Sequence, residues 1–172
     1  LEVYDPLHSI FVRLPFTMTS PRAHHTVSVT SEGGVLIYGG FSQILGGQKT
    51  TVGTAEYLSP EALNGTGPGP VRIEVDPSFT PRYDHSASVL TDRSILIAGG
   101  TGADGNILRS SLRFFPRAEE GAFDTLRQGD MHNARTRHSS NVISRDTEWA
   151  LLAGGQGPPQ SQGEPLVALS SA

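Results

Sequence analysis

Three histidines occupy matching places along the chain, each three residues after an arginine. The pairs are Arg22 with His25, Arg82 with His85, and Arg135 with His138. Imidazole nitrogen is a common zinc ligand, so three histidines around one axis could hold a metal ion. A residue type that recurs in every repeat is better explained by a structural bond, and a guanidinium can likewise tie several carbonyls or a carboxylate. We therefore predict structural roles for these residues, with no metal site and no cofactor.

A pair of glycines ends a hairpin-like stretch after each arginine and histidine. The stretch Pro81–Gly100 reads PRYDHSASVLTDRSILIAGG, and copies of it lie at 21–40 and 134–155. Its alternating run, polar turn and second apolar run are typical of a β-hairpin with a glycine stop. The glycines lack the lysine and helix of a phosphate-binding loop, so we predict that they are structural. They are Gly39 and Gly40, Gly99 and Gly100, and Gly154 and Gly155.

The repeats are 60 and 55 residues apart, measured between the second glycines Gly40, Gly100 and Gly155. Related elements follow the pairs as AEYLSP, SLRFFP and VALSSA, and LEVYDP opens the chain. Each full unit then has four short strands. The expected organisation, all in one domain, is 1–14 as outer strands of a preceding unit, 15–77 and 78–128 as complete units, and 129–172 as the first three strands of a further unit.

The composition favours short strands over long helices, with 36% hydrophobic residues, 20 glycines and 12 prolines. A net charge of −4 and the lack of a dense basic run argue against a nucleic-acid partner. No apolar run is long enough to span a bilayer. The sequence has no cysteine, which excludes a disulfide, a thiolate nucleophile and a cysteine zinc site within it.

The predicted fold is all-β, with four-stranded antiparallel sheets stacked radially as the blades of a β-propeller. Such small sheets cannot bury both faces alone, so neighbouring units must cover them. Two complete and two partial blades are too few for a ring, because propellers have about four to eight. We expect a longer protein to complete a ring of six or seven blades.

The repeated Arg-x-x-His, the strand that ends in Gly-Gly and the elements LEVYDP and AEYLSP resemble kelch repeats. The resemblance extends to the kelch-type propeller of the galactose-oxidase superfamily and covers essentially the whole chain. It departs from the kelch pattern in the place of its tryptophan, since Trp149 lies in a second strand. Galactose oxidase uses a tyrosine crosslinked to cysteine beside copper, and this sequence has no cysteine for that chemistry.

The loops after the glycine pairs should share one face with the Arg-x-x-His segments, and loops on a rigid scaffold are where recognition usually occurs. In the loop 41–51 we predict a partly apolar tip that binds a partner, formed by Phe41, Gln43, Ile44 and Leu45. The alternative is a loop folded over its own blade.

Two functions follow from this reading. The first is a non-catalytic scaffold that binds a protein or a glycan, within a larger extracellular or cell-surface protein; a cytoplasmic location is the alternative. The second is the propeller domain of a carbohydrate-active enzyme of galactose-oxidase-like architecture, whose active site lies outside these residues. We predict no catalytic residues within the sequence itself.

Overall fold

The computed structural model describes residues 1–43, 47–116, 123–143, 149–159 and 167–169. Within these ranges the chain is all-β, with antiparallel sheets and one helical turn, which confirms the predicted class. No helix in the described ranges is long and apolar enough to cross a membrane.

The first two strands form a separate two-stranded sheet. β1 (Glu2–Asp5) pairs with β2 (Ile10–Arg13), and the turn between them is held by the Asp5 carboxylate, which accepts from the backbone N–H of Leu7 at 2.8 Å. After β2, the N–H of Leu14 donates to the carbonyl of Leu1.

The first complete unit contains a four-stranded sheet in the order β3, β4, β7, β8. In chain order its elements are β3 (Thr26–Val29), β4 (Val35–Tyr38), β5 (Phe41–Gln43), β6 (Lys49–Thr51), β7 (Ala55–Leu58), α1 (Pro60–Leu63) and β8 (Val71–Ile73). The helical turn begins at Pro60, with the Ser59 hydroxyl accepting from the N–H of Ala62. This is a standard serine cap with proline in the first turn.

The second unit repeats this plan in the order β10, β11, β13, β14. Its strands are β9 (Arg82–Tyr83), β10 (Ser86–Val89), β11 (Ile95–Ala98), β12 (Thr101–Gly102), β13 (Ser111–Pro116) and β14 (Phe123–Arg127). The third unit has two separate pairs of strands within the described residues. They are β15 (Ser139–Val142) with β16 (Ala150–Ala153), and β17 (Gln156–Gly157) with β18 (Val167–Ala168).

The two four-stranded sheets pack face to face around a shared core. The first sheet and the residues beside it contribute Leu36, Tyr38, Ala55, Tyr57 and Ile73, and the second contributes Ile95, Ile97, Leu112 and Phe114. The Tyr38 and Phe114 rings meet edge to face with centroids 5.0 Å apart. On its opposite face the first sheet buries Ile37 and Leu58 with Leu14 and Ala62. Each face is thus covered by a neighbouring segment.

Two segments differ from the sequence-based expectation. The segment 41–51, expected to be a loop, contains two short paired strands, β5 and β6. The residues between Gln43 and Gly47 lie outside the described ranges. The element VALSSA, expected to supply the third strand of the last unit, instead contributes Val167–Ala168, which pairs with Gln156–Gly157. It corresponds to the loop hairpin of the first unit, because Leu169 N–H donates to Gly155 at 2.9 Å just as Val52 N–H donates to Gly40 at 2.8 Å.

Candidate functional site

The arginine of each repeat fixes the strand end that carries the glycine pair. Its Nη1 donates to the carbonyl of the first glycine, at 3.0 Å in all three units. The bonds run from Arg22 to Gly39, from Arg82 to Gly99 and from Arg135 to Gly154. A guanidinium suits this task because it presents several donors in one plane.

In the first unit the arginine also forms a buried ion pair. Arg22 Nη2 lies 2.6 Å from Glu56 Oε1, and neither side chain is exposed to solvent. Backbone N–H groups of Thr19 and Ser20 donate to the same carboxylate. Burial alone would raise the pKa of Glu56, but these bonds and the guanidinium outweigh it and hold the pKa below its usual value.

The histidine of each following unit reaches back to the unit before it. His85 Nε2 lies 2.8 Å from the Thr26 hydroxyl, and His138 Nε2 lies 2.8 Å from the Ser86 hydroxyl. The hydroxyl residue directly follows the histidine of the preceding unit in both cases. Each histidine therefore joins two units.

The glycine pair allows the arginine and histidine of the next unit to approach closely. A Cβ on Gly39 would lie 2.5 Å from the Arg82 carbonyl oxygen and 2.7 Å from the His85 ring. On Gly99 it would lie 2.4 Å from the Arg135 carbonyl oxygen. The second glycine completes the link, because Gly40 N–H donates to Arg82 at 2.9 Å, and Gly100 makes the same bond to Arg135. Arginine, histidine and both glycines thus form one repeated interlock between units.

Burial in this interlock keeps the histidines neutral. It lowers the pKa of His85 to about 3, and the Arg82 charge adds to the effect. Burial likewise lowers the pKa of His138 to about 4, with a further contribution from Arg135. Burial disfavours the charged ring, and a neutral imidazole can still share a hydrogen bond with the neighbouring hydroxyl. In the described part of the chain, no group of three or more histidine, aspartate or glutamate residues could hold a metal ion.

One position inside the Arg-x-x-His motif has a different residue type in each unit. His24, Asp84 and Arg137 all have a positive φ, between 53° and 58°. Their backbones are linked in series, since Asp84 N–H donates to His24 at 3.1 Å and Arg137 N–H donates to Asp84 at 2.9 Å. A left-handed backbone is unfavourable for a residue with a side chain, and such positions cluster at functional sites.

The side chains of these three residues form a charged row across three units. His24 Nδ1 lies 2.6 Å from Asp84 Oδ1, and Arg137 Nε donates to Asp84 Oδ2 at 3.0 Å. Burial would raise the pKa of Asp84, but the bonds from His24 and Arg137 hold it below its usual value. The outer two side chains remain open, with 43% of His24 and 57% of Arg137 exposed, against 12% of Asp84.

Aromatic rings and a cation lie beside this row. The Phe41 ring stacks near His24, with centroids 4.9 Å apart, and meets Tyr83 edge to face at 5.3 Å. Lys49 Nζ lies 4.4 Å from the Phe41 centroid and 5.6 Å from that of Tyr83. Lys49 is the only lysine of the chain. We call these residues the rim cluster: His24, Phe41, Lys49, Tyr83, Asp84 and Arg137.

The predicted binding tip is only partly within the described residues. Phe41 is 8% exposed, packed against His24 and Tyr83 at the base of the loop. Gln43 is exposed, and its Nε2 donates to the Gly47 carbonyl at 3.1 Å. Ile44 and Leu45 lie outside the described residues. The loop also pairs with the Arg-x-x-His segment, where Ala23 and Phe41 exchange backbone bonds.

Comparison with known proteins gives a partial likeness in sequence. No protein-family model matches the chain. Over 90 residues it is 34% identical to tRNA wybutosine-synthesizing protein 4 of Rattus norvegicus and 32% identical to the Homo sapiens protein of the same name. The match covers 52% of this chain but 12% of each relative.

Comparison of structures gives a broader likeness. A fungal alcohol oxidase of the AA5 family, in complex with copper, aligns over 78% of this chain and 25% of its own, with a TM-score of 0.51 and 12% identity. YjhT aligns over 86% of this chain and 63% of its own, with a TM-score of 0.44 and 8% identity. At such identity the oxidase likeness concerns the fold alone. It supports a kelch-like β-propeller fold for this chain.

Proposed function

We propose that the chain is an arc of a kelch-like propeller of six or seven blades and serves as a non-catalytic interaction scaffold. The rim cluster carries the proposal. The rim cluster joins three successive units at one surface. Its side chains are fixed in place by hydrogen bonds and ring contacts with one another. A preorganised polar surface of this kind loses little side-chain entropy when a partner binds.

The residue types favour a protein partner over a glycan. Arginine and tyrosine are enriched at the energetically dominant positions of protein interfaces. Arg137 and Lys49 present donors to a carboxylate or carbonyl of the partner, while Tyr83 supplies apolar contact beside them. A glycan is the second candidate, since aromatic faces and paired charges also suit sugar rings and hydroxyls. An extracellular or cell-surface location stays a prediction.

The relatives matched in sequence are named for tRNA wybutosine synthesis, and the matching segment is 12% of their length. We propose that this segment contributes a scaffold to a longer protein and that any chemistry lies elsewhere in it. The enzyme alternative, a carbohydrate-active protein of galactose-oxidase-like architecture, has no support here beyond the fold shared with the oxidase.

Quantitative capture with rim-cluster variants tests the proposal. The immobilised chain is exposed to a proteome and to a glycan array, and bound species are compared between wild type, Arg137→Ala and Lys49→Ala. The control is Arg72→Ala, which alters an exposed arginine on β8. We expect one protein retained by wild type and the control and reduced at least about tenfold by both rim variants, a loss typical of an interface hot spot. Equal capture by all four proteins contradicts the rim cluster as the site, and selective retention of a glycan favours the second candidate.

A further inference from the structure

The junction between the first and second units contains two aromatic rings where the next junction has two hydroxyls. In both junctions the residue after the second glycine of one unit meets the residue after the arginine of the following unit. In the first junction these residues are Phe41 and Tyr83, whose rings lie edge to face at 5.3 Å. In the second they are Thr101 and Thr136, whose hydroxyl oxygens lie 3.0 Å apart. The fold can therefore close this junction without aromatic rings.

The ring pair of the first junction holds a cation. The Nζ of Lys49 lies 4.4 Å from the Phe41 centroid and 5.6 Å from the Tyr83 centroid. A ring face attracts an ammonium group within about 6 Å of its centroid. The backbone fixes this approach, because β5 and β6 pair Phe41 with Thr51 and Gln43 with Lys49. The loop hairpin thus carries the ammonium group to the rings.

The charge of Lys49 is not neutralised by a carboxylate within the described ranges. The side chain is exposed, and its ammonium group lies over the two rings without an ion pair in that part of the chain. Asp84 follows Tyr83 in sequence, but its carboxylate is bonded to His24 and Arg137. The ammonium group therefore remains available to an anion from outside the chain.

One cation beside an aromatic ring suits a single carboxylate on a peptide. Tyr83 is partly exposed, so its ring can cover an apolar side chain next to that carboxylate. A polyanion such as a nucleic acid fits poorly, because the chain has a net charge of −4 and Lys49 is its only lysine. The matching chemistry is an acidic residue with apolar neighbours.

We propose that Lys49, held by Phe41 and Tyr83, binds a glutamate or aspartate of the partner in a segment where apolar residues flank that acid. The ammonium group donates hydrogen bonds to the carboxylate, and the two rings keep the lysine in place. A cation that is positioned before binding loses little side-chain entropy when the partner arrives. This inference rests on the proposed interaction scaffold and assigns the chemical class of its partner.

NMR of carbon-13-labelled lysine tests the site, because the single lysine gives one ε-carbon signal. The probes are capped Leu-Glu-Leu, Leu-Gln-Leu and Leu-phosphoserine-Leu peptides. We expect Leu-Glu-Leu to shift the Lys49 signal to saturation and to bind at least about tenfold more tightly than Leu-Gln-Leu. An unshifted signal, or equal binding of these two peptides, overturns the proposal. Tightest binding of the phosphoserine peptide assigns the site to phosphate and also overturns it.

Variants separate a lysine held by rings from an ordinary surface charge, with labelled Leu-Glu-Leu followed by fluorescence anisotropy. Lys49→Gln should weaken binding at least about tenfold, and Lys49→Arg should restore most of it, because arginine keeps the charge and also stacks on rings. Tyr83→Leu keeps an apolar side chain without a ring face and should weaken binding about two- to fivefold. The matched control is Arg72→Gln, which removes an exposed positive charge on β8.

Two results with these variants contradict the proposal. Equal binding by Tyr83→Leu and wild type shows that the ring does not position the lysine. An equal loss in Arg72→Gln and Lys49→Gln shows that only the overall charge matters.

Failure of this inference is distinguishable from failure of the proposed function. If the captured protein is lost in the rim variants but Leu-Glu-Leu leaves the Lys49 signal unchanged, the scaffold stands and the acidic class is wrong. If Leu-Glu-Leu shifts the signal but no protein is captured, the carboxylate site stands and the protein-binding scaffold is wrong.

Discussion

The Nε2 of His85 lies 2.8 Å from the hydroxyl of Thr26, a bond that joins residues 59 positions apart in sequence and one unit apart in space. His85 is 6% exposed, so the bond is shielded from water. His138 and Ser86 form the same bond one unit later. The contact between units is thus specified by a polar pair as well as by apolar packing.

Thr26→Val should weaken this junction. The substitution keeps the shape of the side chain but leaves the buried His85 Nε2 without its hydroxyl partner, which costs about 1–3 kcal/mol. Urea unfolding followed by fluorescence measures the loss. Thr26→Ser keeps the hydroxyl and is the matched control. Equal stability of the two variants would show that the hydroxyl does not matter.

The buried histidines should make the fold sensitive to mild acid. The folded pKa of His85 is about 3, below the usual value of 6.5. Between these two values the unfolded chain binds the proton and the folded chain does not. Its contribution to stability is therefore complete above pH 6.5 and is lost as the pH falls toward 3. The expected slope is about 1.4 kcal/mol per pH unit for this one group.

Unfolding free energies at pH 7.5 and pH 5 measure that slope. His85→Gln should be less stable than wild type at pH 7.5 but should lose less on going to pH 5. The matched control is His132→Gln, which removes an exposed histidine. Identical pH dependence in wild type and His85→Gln would contradict the assignment. The carboxylate of Glu56 does not obscure the comparison, because its contribution to stability is lost only as the pH falls below the ordinary glutamate pKa of 4.5, which is lower than both test values.

Gly99→Ala tests the close approach between the second and third units. Gly99 and Gly105 both have a positive φ, 61° and 82°, so alanine is strained at either place by about 1–2 kcal/mol. At Gly99 the new Cβ would also lie 2.4 Å from the Arg135 carbonyl, whereas at Gly105 it meets nothing within 4 Å. We expect Gly99→Ala to cost at least about 2 kcal/mol more than Gly105→Ala in chemical unfolding. Equal costs would mean that the units do not touch there.

Glu56→Gln should destabilise the first unit strongly. It leaves the Arg22 guanidinium buried without a countercharge, which costs about 3–5 kcal/mol in buried pairs. The exposed pair of Arg72 and Glu74 offers a control, since Glu74→Gln should change the stability by less than about 1 kcal/mol. Thermal and urea unfolding of both variants give the comparison. A Glu56→Gln variant as stable as Glu74→Gln would rule out an important role for the buried pair.

The repeat could be predicted from the sequence because the interlock uses the same residue types each time. Gly39 and Gly99 leave no room for a Cβ atom. Each buried arginine donates a hydrogen bond to the carbonyl of the first glycine of its own unit. A residue type that recurs at the same place in each repeat therefore marks a position where the fold requires that residue type. The predicted strands of the four-stranded sheets lie within a few residues of the observed ones. This is because an alternating run indicates burial on one face of a strand and an apolar run indicates burial on both.

The rim cluster could not be found in this way. His24, Asp84 and Arg137 occupy the same position in successive repeats. His24 and Arg137 both bond to the Asp84 carboxylate, so the position needs different residue types in each unit and none recurs. The available signal was the spacing alone, one residue before each histidine. The short hairpin strands were missed for another reason, because two or three residues are too few to show a period.

The tautomer and charge of the histidine rings, read by long-range proton–nitrogen NMR correlation at pH 5, test the repeated interlock most directly. The structure predicts that His85 stays neutral, with a single ring proton, while the chain remains folded. A His85 ring that carries two protons at pH 5 in the folded chain would place it in water and contradict the junction.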